Sequence, residues 1–426
     1  MKKRLLFLLM LPLLALGCND KTTPPDPETP ATHTLIMYMV GSNANMSYYL
    51  KSNINDVYTS VTNTFPDWGK IFIYYHGLDD RLGIAECTLW EVLPPTENGA
   101  MPTLKVHEEY STDRASTSAE AINAVISKVK SIAKTEVYGM SFSGHSTGWF
   151  PADISPDKQK SPGVISFAGE HDFGRNEDTM TRAFGPTIKG EWGDFSDIVE
   201  GVKGAGLEYI MFDMCFMSSA EVLYDLRNSA KYILATPTEI LITGFPYRKV
   251  IPVLFSKKTD YPIVERLTDI GEAVVDYYES GSAGYEDKNL WAASMTLVET
   301  SKIDAMAQAV KNIIGSADKT FDDTKAGDIS YIQYLELIPD HAFFDLRDYM
   351  SKICSDQTLL SQLDTALDDM IIGEHWHTSS IYSGYGDTGT VPMQRVCGIS
   401  SYIPRNAYPL TKEAYLNTAW AKFTRP

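Results

Sequence analysis

One histidine and one cysteine, 70 residues apart, each follow an apolar stretch that reads as a buried strand. Residues 136–143 (EVYGMSFS) run into Gly144-His145-Ser146-Thr147-Gly148-Trp149, and residues 207–213 (LEYIMFD) run into Met214-Cys215-Phe216-Met217. A thiolate is a good nucleophile and a thiol a poor one. A nearby imidazole can hold the thiol proton and return it to a leaving amine. Cys215 precedes a predicted helix, whose N-terminal partial charge favours the thiolate. Backbone N–H groups near Cys215 and just after His145, at Ser146, are candidates for stabilising an oxyanion. These parts together suit acyl transfer. From spacing alone they also suit a small apolar side chain filling a strand end and a hydrogen-bonded loop histidine.

The elements that must hold this pair follow from the patterning. Residues 34–40 (TLIMYMV) and 70–75 (KIFIYY) are nearly continuous apolar runs, as in strands buried on both faces. Residues 46–61 read as a helix between them. Thr117-Ser-Ala-Glu120 has the form of a capping box. Ile122, Val125, Ile126 and Val129 then keep helical spacing. Residues 194–202 form another helix candidate. Ser218 or Ser219 can cap a helix carrying Val222, Leu223 and Leu226. Residues 231–236 (KYILAT) give a fifth strand. Strands alternating with helices predict an α/β fold with a mainly parallel sheet flanked by helices. In such a sheet, ligands bind at the carboxyl ends of the strands.

After about residue 250 the pattern changes. Ile263, Leu267, Ile270, Val274 and Tyr278 keep helical spacing. So do Ile303, Met306, Val310 and Ile313, and Phe343, Leu346, Met350 and Ile353. Residues 290–298 and 398–403 read as strands, so a mixed α+β region over 251–426 is expected to pack on a first unit of 34–250. Residues 147–189, rich in Gly, Pro and Asp, read as an elaborated surface segment.

The N-terminus reads as an address. Lys2, Lys3 and Arg4 precede the apolar run 5–16, too short to span a bilayer and apt for a signal peptide over residues 1–17. Ala15-Leu16-Gly17-Cys18 resembles the lipobox of bacterial lipoproteins, which implies cleavage before Cys18 and a lipid on its thiol. Residues 18–33, with four prolines, read as an extended tether between that membrane anchor and the folded body. The expected location is the cell envelope. Four other cysteines are too few for a disulfide framework.

Lys+Arg number 37 against 55 Asp+Glu, a formal charge of −18. Nucleic acid is therefore excluded as the main partner, because phosphate binding needs a basic face. Loss of residues 1–17 removes three basic groups and no acidic ones, leaving 34 against 55, or about −21.

His145-Ser-Thr-Gly-Trp149 resembles the His-Gly-x-Gly-Trp motif of the clostripain family of cysteine peptidases. Asp213-Met-Cys215-Phe-Met217, followed by Glu221 and Leu226, is similar to that family's Asp-x-Cys-x-Met segment. The likeness continues through Tyr232-Ile-Leu-Ala-Thr236 and Gly244-Phe-Pro-Tyr247. The turn after the first strand, and more loosely Phe344-Asp-Leu346 and residues 398–404, echo it too. The resemblance implies a caspase-like fold that hydrolyses peptide bonds, with His145 as general acid/base and Cys215 as nucleophile. It implies that Asp213, beside the nucleophile, helps select Arg or Lys at the cut site. Peptides or proteins are the implied partners, with no cofactor; calcium has no clear motif. Two positions depart from the family. Ser146 replaces the usual Gly, and Thr243 stands where trypsin-like members carry a second Asp. Two carboxylates suit a guanidinium fork better than one. Some members cleave themselves between the two motifs, a stretch that here carries Lys158, Lys160, Arg175, Arg182 and Lys189.

Other residues offer rival chemistry. Gly139-Met-Ser141-Phe-Ser143 brushes against a serine nucleophile elbow, with His341 downstream, but Ser143 fills a position where the turn needs Gly. His76 ends a strand and is a rival base. His375 and His377 share one strand face, without a clear third metal ligand. Asp79-Asp80 and Asp322-Asp323 lack an EF-hand loop pattern. A non-catalytic, surface-anchored peptide-binding module on a peptidase-like scaffold is the alternative to an enzyme.

Overall fold

The computed structural model describes residues 33–41, 43–61, 69–78, 83–97, 100–150, 184–256, 258, 260–317, 331–337, 341–384, 389–406 and 408–425. The signal segment, Cys18 and the tether up to residue 32 lie outside them. So do Asp79, Asp80, Asp322, Asp323, Lys158, Lys160, Arg175 and Arg182.

The chain opens with β1 (His33–Val40), α1 (Ala44–Ser60) and β2 (Gly69–Leu78). Asn43 caps α1 by accepting from the Met46 N–H at 2.7 Å. β3 (Ala85–Leu93) and β4 (Thr103–Glu109) follow as antiparallel strands that the apolar pattern did not announce. Next come α2 (Ala119–Ile132), β5 (Val137–Ser143), α3 (Phe195–Val202), β6 (Leu207–Asp213), α4 (Ala220–Leu226) and β7 (Ala230–Ala235).

The later chain forms α5 (Tyr247–Leu254), α6 (Ile263–Glu279), β8 (Ser294–Glu299) and α7 (Ile303–Gly315). It continues through β9 (Phe344–Asp345), α8 (Leu346–Ile353), α9 (Gln357–Met370), β10 (Trp376–His377), β11 (Ser380–Ser383) and β12 (Gly389–Pro392). It ends with β13 (Ser400–Ser401), α10 (Pro409–Asn417) and α11 (Ala419–Thr424).

Nine strands make one sheet in the order β10-β8-β7-β6-β5-β1-β2-β3-β4. The central five, β7-β6-β5-β1-β2, run parallel, and antiparallel strands extend both margins. β8 and β10 belong to the segment after residue 250, so that segment lengthens the same sheet. Alternation along β1 feeds two cores. Ile36, Tyr38 and Val40 pack with Ile122, Val125 and Val129 of α2 and Ile198 of α3. Leu35, Met37 and Met39 pack with Leu50, Ile54 and Val57 of α1 and with Leu267, Ile270 and Val274 of α6. Full burial of each such side chain contributes about 1.5–3 kcal/mol. A sheet covered on both faces leaves its strand ends as the natural place for a site.

Three local expectations need correction. Ser118, not Thr117, caps α2, accepting from the Ala121 N–H at 3.3 Å. Asp197 of α3 takes the Ala119 N–H at 3.1 Å, so the first turn of α2 is bonded from its neighbour. The helix expected from Phe343 starts at Leu346, because Phe344 and Asp345 first pair with Ser401 and Ser400. The strand expected over 290–298 is confined to Ser294–Glu299, after a 3-10 turn at Lys288–Leu290. No helix among the described residues is long and apolar enough to cross a membrane.

Candidate active site

β5 and β6 are neighbours in the sheet, and Ser143 and Asp213 are register partners at their carboxyl ends. His145 and Cys215 each lie two residues beyond that pair. The two loops touch just past them. Ser146 Oγ meets Met217 Sδ at 3.1 Å and accepts from the Gly148 N–H at 3.0 Å. A Cβ on Gly148 (φ +62°) would stand 2.8 Å from the Phe216 carbonyl oxygen. Gly144, with φ +152°, leaves no room either, since a Cβ there would meet the Val40 carbonyl oxygen at 2.5 Å. Only glycine lets the chain turn there and present His145.

The Cys215 loop is stitched on its other side to the chain that follows β7. The Phe216 N–H donates to the Thr238 carbonyl (2.8 Å) and the Ser218 N–H to the Thr236 carbonyl (2.9 Å). The Ile240 N–H donates to Cys215 Sγ at 3.4 Å, and the thiol faces the Ile240 carbonyl at 3.6 Å. Phe216 adopts φ +59° and stacks on Phe343 at 4.0 Å between centroids. Strained backbone of this kind persists only where its surroundings fix it. Cys215 is 8 % exposed, so its sulfur is largely covered, while His145 is half-buried.

The electrostatics describe a resting pair without charge separation. Burial pushes the Cys215 thiol up to about 12, helped by the nearby Glu239 charge and opposed by the Ile240 N–H. Burial lowers the His145 imidazole to about 4. At neutral pH the sulfur is a thiol and the imidazole is neutral, ready to accept a proton. The expectation of a thiolate favoured by a helix end is therefore corrected. α4 begins at Ala220, five residues after Cys215, and the dipole effect fades within a turn. The His145 carbonyl accepts from the Gly185 N–H at 3.3 Å. Among the described residues no side chain hydrogen-bonds the His145 ring.

A model of the clostripain family matches residues 37–421. The chain belongs to the clostripain family. It is a cysteine protease, a hydrolase. It is similar to the X-ray structure of a secreted C11 cysteine protease from Bacteroides thetaiotaomicron, at 26 % identity and a TM-score of 0.74, covering 93 % of this chain and 99 % of that one. An inactive zymogen C11 protease from Parabacteroides distasonis shares the fold at 23 % identity and a TM-score of 0.73, with the same coverage. So does a secreted C11 cysteine protease from Bacteroides thetaiotaomicron in complex with an irreversible peptide inhibitor, at 21 % and 0.72, covering 93 % of this chain and 99 % of that one. No curated protein matches the chain.

In this clostripain-family chain Asp213 is 5 % exposed. Its Oδ2 accepts from Tyr247 Oη (3.0 Å) and Ser143 Oγ (3.4 Å). Burial raises its carboxyl to about 6, against the pull of the Phe245 N–H and those hydroxyls. Gly244 (φ +66°) closes over it; a Cβ there would lie 2.6 Å from Oδ2. Thr243 stands beside Gly244, with its hydroxyl bonded to Tyr278 Oη at 2.9 Å and accepting from Tyr285 Oη at 3.3 Å.

The rival residues lie elsewhere. Ser141 is fully buried in mid-strand, level with Met37 and Met211, so no substrate meets it. His341 pairs with Glu336 at 3.1 Å. His76 is a buried structural histidine, with Nδ1 on Ser116 Oγ (2.6 Å) and Nε2 donating to the Thr112 carbonyl (3.2 Å). His375 bonds Ser294 Oγ at 2.7 Å, and His377 faces the Thr378 carbonyl. Among the described residues no cluster of three His, Cys, Asp or Glu could hold a metal. Lys189 pairs with Asp113 at 2.9 Å. Cys87, Cys215, Cys354 and Cys397 are free thiols.

The sequence reading missed Glu239. A signal existed: it lies just past the carboxyl end of β7, the strand beside β6. It named Glu221 only within the family likeness and gave it no role; this residue, 1 % exposed, holds the start of α4 to the C-terminal segment. Glu221 Oε1 accepts from the Tyr402 N–H (2.9 Å) and Ser401 Oγ (3.1 Å), and burial raises its carboxyl to about 7. The folded state thus holds this proton more tightly than the unfolded chain, whose value is 4.5. Its ionisation costs stability as pH rises from about 4.5 to 7. Glu221→Gln, which keeps an acceptor oxygen, is expected to gain stability over the wild type between pH 5 and pH 8, by on the order of 3 kcal/mol. Denaturant melts at the two pH values check this, and an equal offset at both would refute it.

Proposed function

We propose that the chain is an endopeptidase in which Cys215 attacks the scissile carbonyl and His145 manages the proton. The observation that carries this reading is the Ser143–Asp213 register, which sets both residues past adjacent strand ends in touching loops. As the sulfur attacks, His145 accepts its proton, so charge separates only as the bond forms. The backbone N–H of Ser146 is the oxyanion donor. The imidazolium then protonates the departing amine, and water hydrolyses the thioester. Ser146 replaces a glycine without loss of that N–H, and its hydroxyl is used internally to brace the loop.

Asp213 and Thr243 line the recognition of the residue at the cut site. Asp213 is one carboxylate already shared with two hydroxyls, and Thr243 adds only a hydroxyl. A guanidinium finds half of a bidentate partner here. Selectivity for Arg or Lys over a neutral side chain is therefore weak in the wild type. Thr243→Asp is expected to raise the kcat/KM ratio of an Arg peptide to its citrulline analogue about tenfold, the worth of one charge-assisted bond. An unchanged ratio would remove Thr243 from this role.

Lipid attachment at Cys18 and an envelope location belong to the same proposal. Their support is the lipobox-like run and the description of the Bacteroides thetaiotaomicron relative as secreted. Turnover of a peptide library by the wild type, Cys215→Ala and His145→Ala tests the catalytic reading. Persistent turnover in Cys215→Ala would contradict it, and tight peptide binding without turnover in any form would favour the binding module.

A further inference from the structure

The chain after β7 carries a carboxylate that the roles above leave unused. Residues 236–240 run beside the nucleophile loop and supply both backbone groups that face the Cys215 sulfur. Glu239 sits within that run, next to Ile240. Its Oε2 accepts from the Gly384 N–H at 2.9 Å, across 145 residues of sequence. Gly384 directly follows β11. A Cβ there would stand 3.4 Å from the Tyr382 ring and 3.5 Å from Glu239 Oε2, so strand and carboxylate converge on one glycine. The Glu239 carbonyl in turn accepts from Thr238 Oγ1 at 3.1 Å, which stiffens the run.

We infer that Glu239 is a positioning residue of the active site, tying β11 to the segment that cradles the Cys215 sulfur and setting a negative charge beside that sulfur. The inference rests on the reading of Cys215 as nucleophile. The groups whose charge bears on the sulfur are Glu239 from the chain after β7 and Asp213 from its own strand, with the neutral His145 imidazole at the end of β5. Glu239 stands ahead of Asp213 in holding the thiol protonated. Near Glu239 itself the β11 side presents the Gly384 N–H and the Tyr382 ring. The carboxylate thus acts twice: through the Gly384 bond it fixes where the Ile240 N–H points, and its charge adds to the burial that holds the proton on the sulfur.

The two actions separate in two variants of the full chain. Glu239→Gln keeps an acceptor oxygen and loses the charge; Glu239→Ala loses both. Iodoacetamide labelling is followed across pH 6–10, with the labelled residue located by mass spectrometry, and kcat and KM are measured on one peptide. Glu239→Gln is expected to label Cys215 about tenfold faster at pH 7, one unit of thiol pKa, with KM near the wild-type value. Glu239→Ala is expected to raise KM or lower kcat several-fold as well. An unchanged labelling profile in Glu239→Gln, or unchanged constants in Glu239→Ala, overturns the inference. Wild-type label on a residue other than Cys215 overturns the nucleophile assignment along with it, so the two failures are told apart.

Discussion

Replacing Cys215 with Ala is expected to lower kcat on any peptide substrate by roughly 10⁴-fold or more, while peptide affinity changes little. A covalent route splits one difficult step into two, and the whole route runs through one sulfur. In hydrolases of this logic, loss of the nucleophile costs about as much as loss of the whole constellation. Fold damage is not expected to contribute. Alanine removes one small group, and the loop keeps the Phe216 and Ser218 amide bonds that hold it beside the long thiol contacts to Ile240. Steady-state kinetics beside a melting curve check this. A variant with wild-type Tm and only a tenfold loss would show that another group attacks.

His145→Ala is expected to lower kcat by about 10²–10⁴-fold at pH 7, the usual worth of a placed acid/base. The direction of the pH dependence adds a sharper reading. The imidazole is depressed to about 4 and the thiol raised to about 12. In the wild type, therefore, proton transfer accompanies attack and no preformed ion pair is needed at neutral pH. Without the imidazole, solvent must remove the thiol proton. Residual activity of His145→Ala should then climb steadily from pH 7 towards pH 10. A flat profile would mean that His145 is not the proton acceptor.

The pair was legible because its strands are. EVYGMSFS and LEYIMFD are apolar runs between helices, and each breaks at the end that feeds a loop. That pattern is the signature of central parallel strands, and it placed His145 and Cys215 just past the ends of β5 and β6. The margins were not legible. TLKVHEE mixes charge with apolar residues because β4 is an edge strand without a buried residue, and AECTLWEVL sets Glu86 and Glu91 among the apolar residues of β3. The pairing of β3 with β2, and of β4 with β3, is a choice that no local period announces. The state of the thiol was also misread. The helix signal at Ser219 was real, but its distance from the sulfur depends on a turn with positive φ at Phe216. Glu239 and Gly384 meet only after 145 residues of intervening chain, so their bond belongs to tertiary structure alone.

The most direct test of the account is the site of covalent capture by a peptide bearing an electrophilic group in place of the scissile carbonyl. The full chain is incubated with it, and the adduct is located by peptide mass mapping. The account predicts one adduct, on Cys215, formed at least about tenfold more slowly in His145→Ala and absent from Cys215→Ala. An adduct on Ser141 or any other side chain, or capture at an undiminished rate without His145, would contradict it.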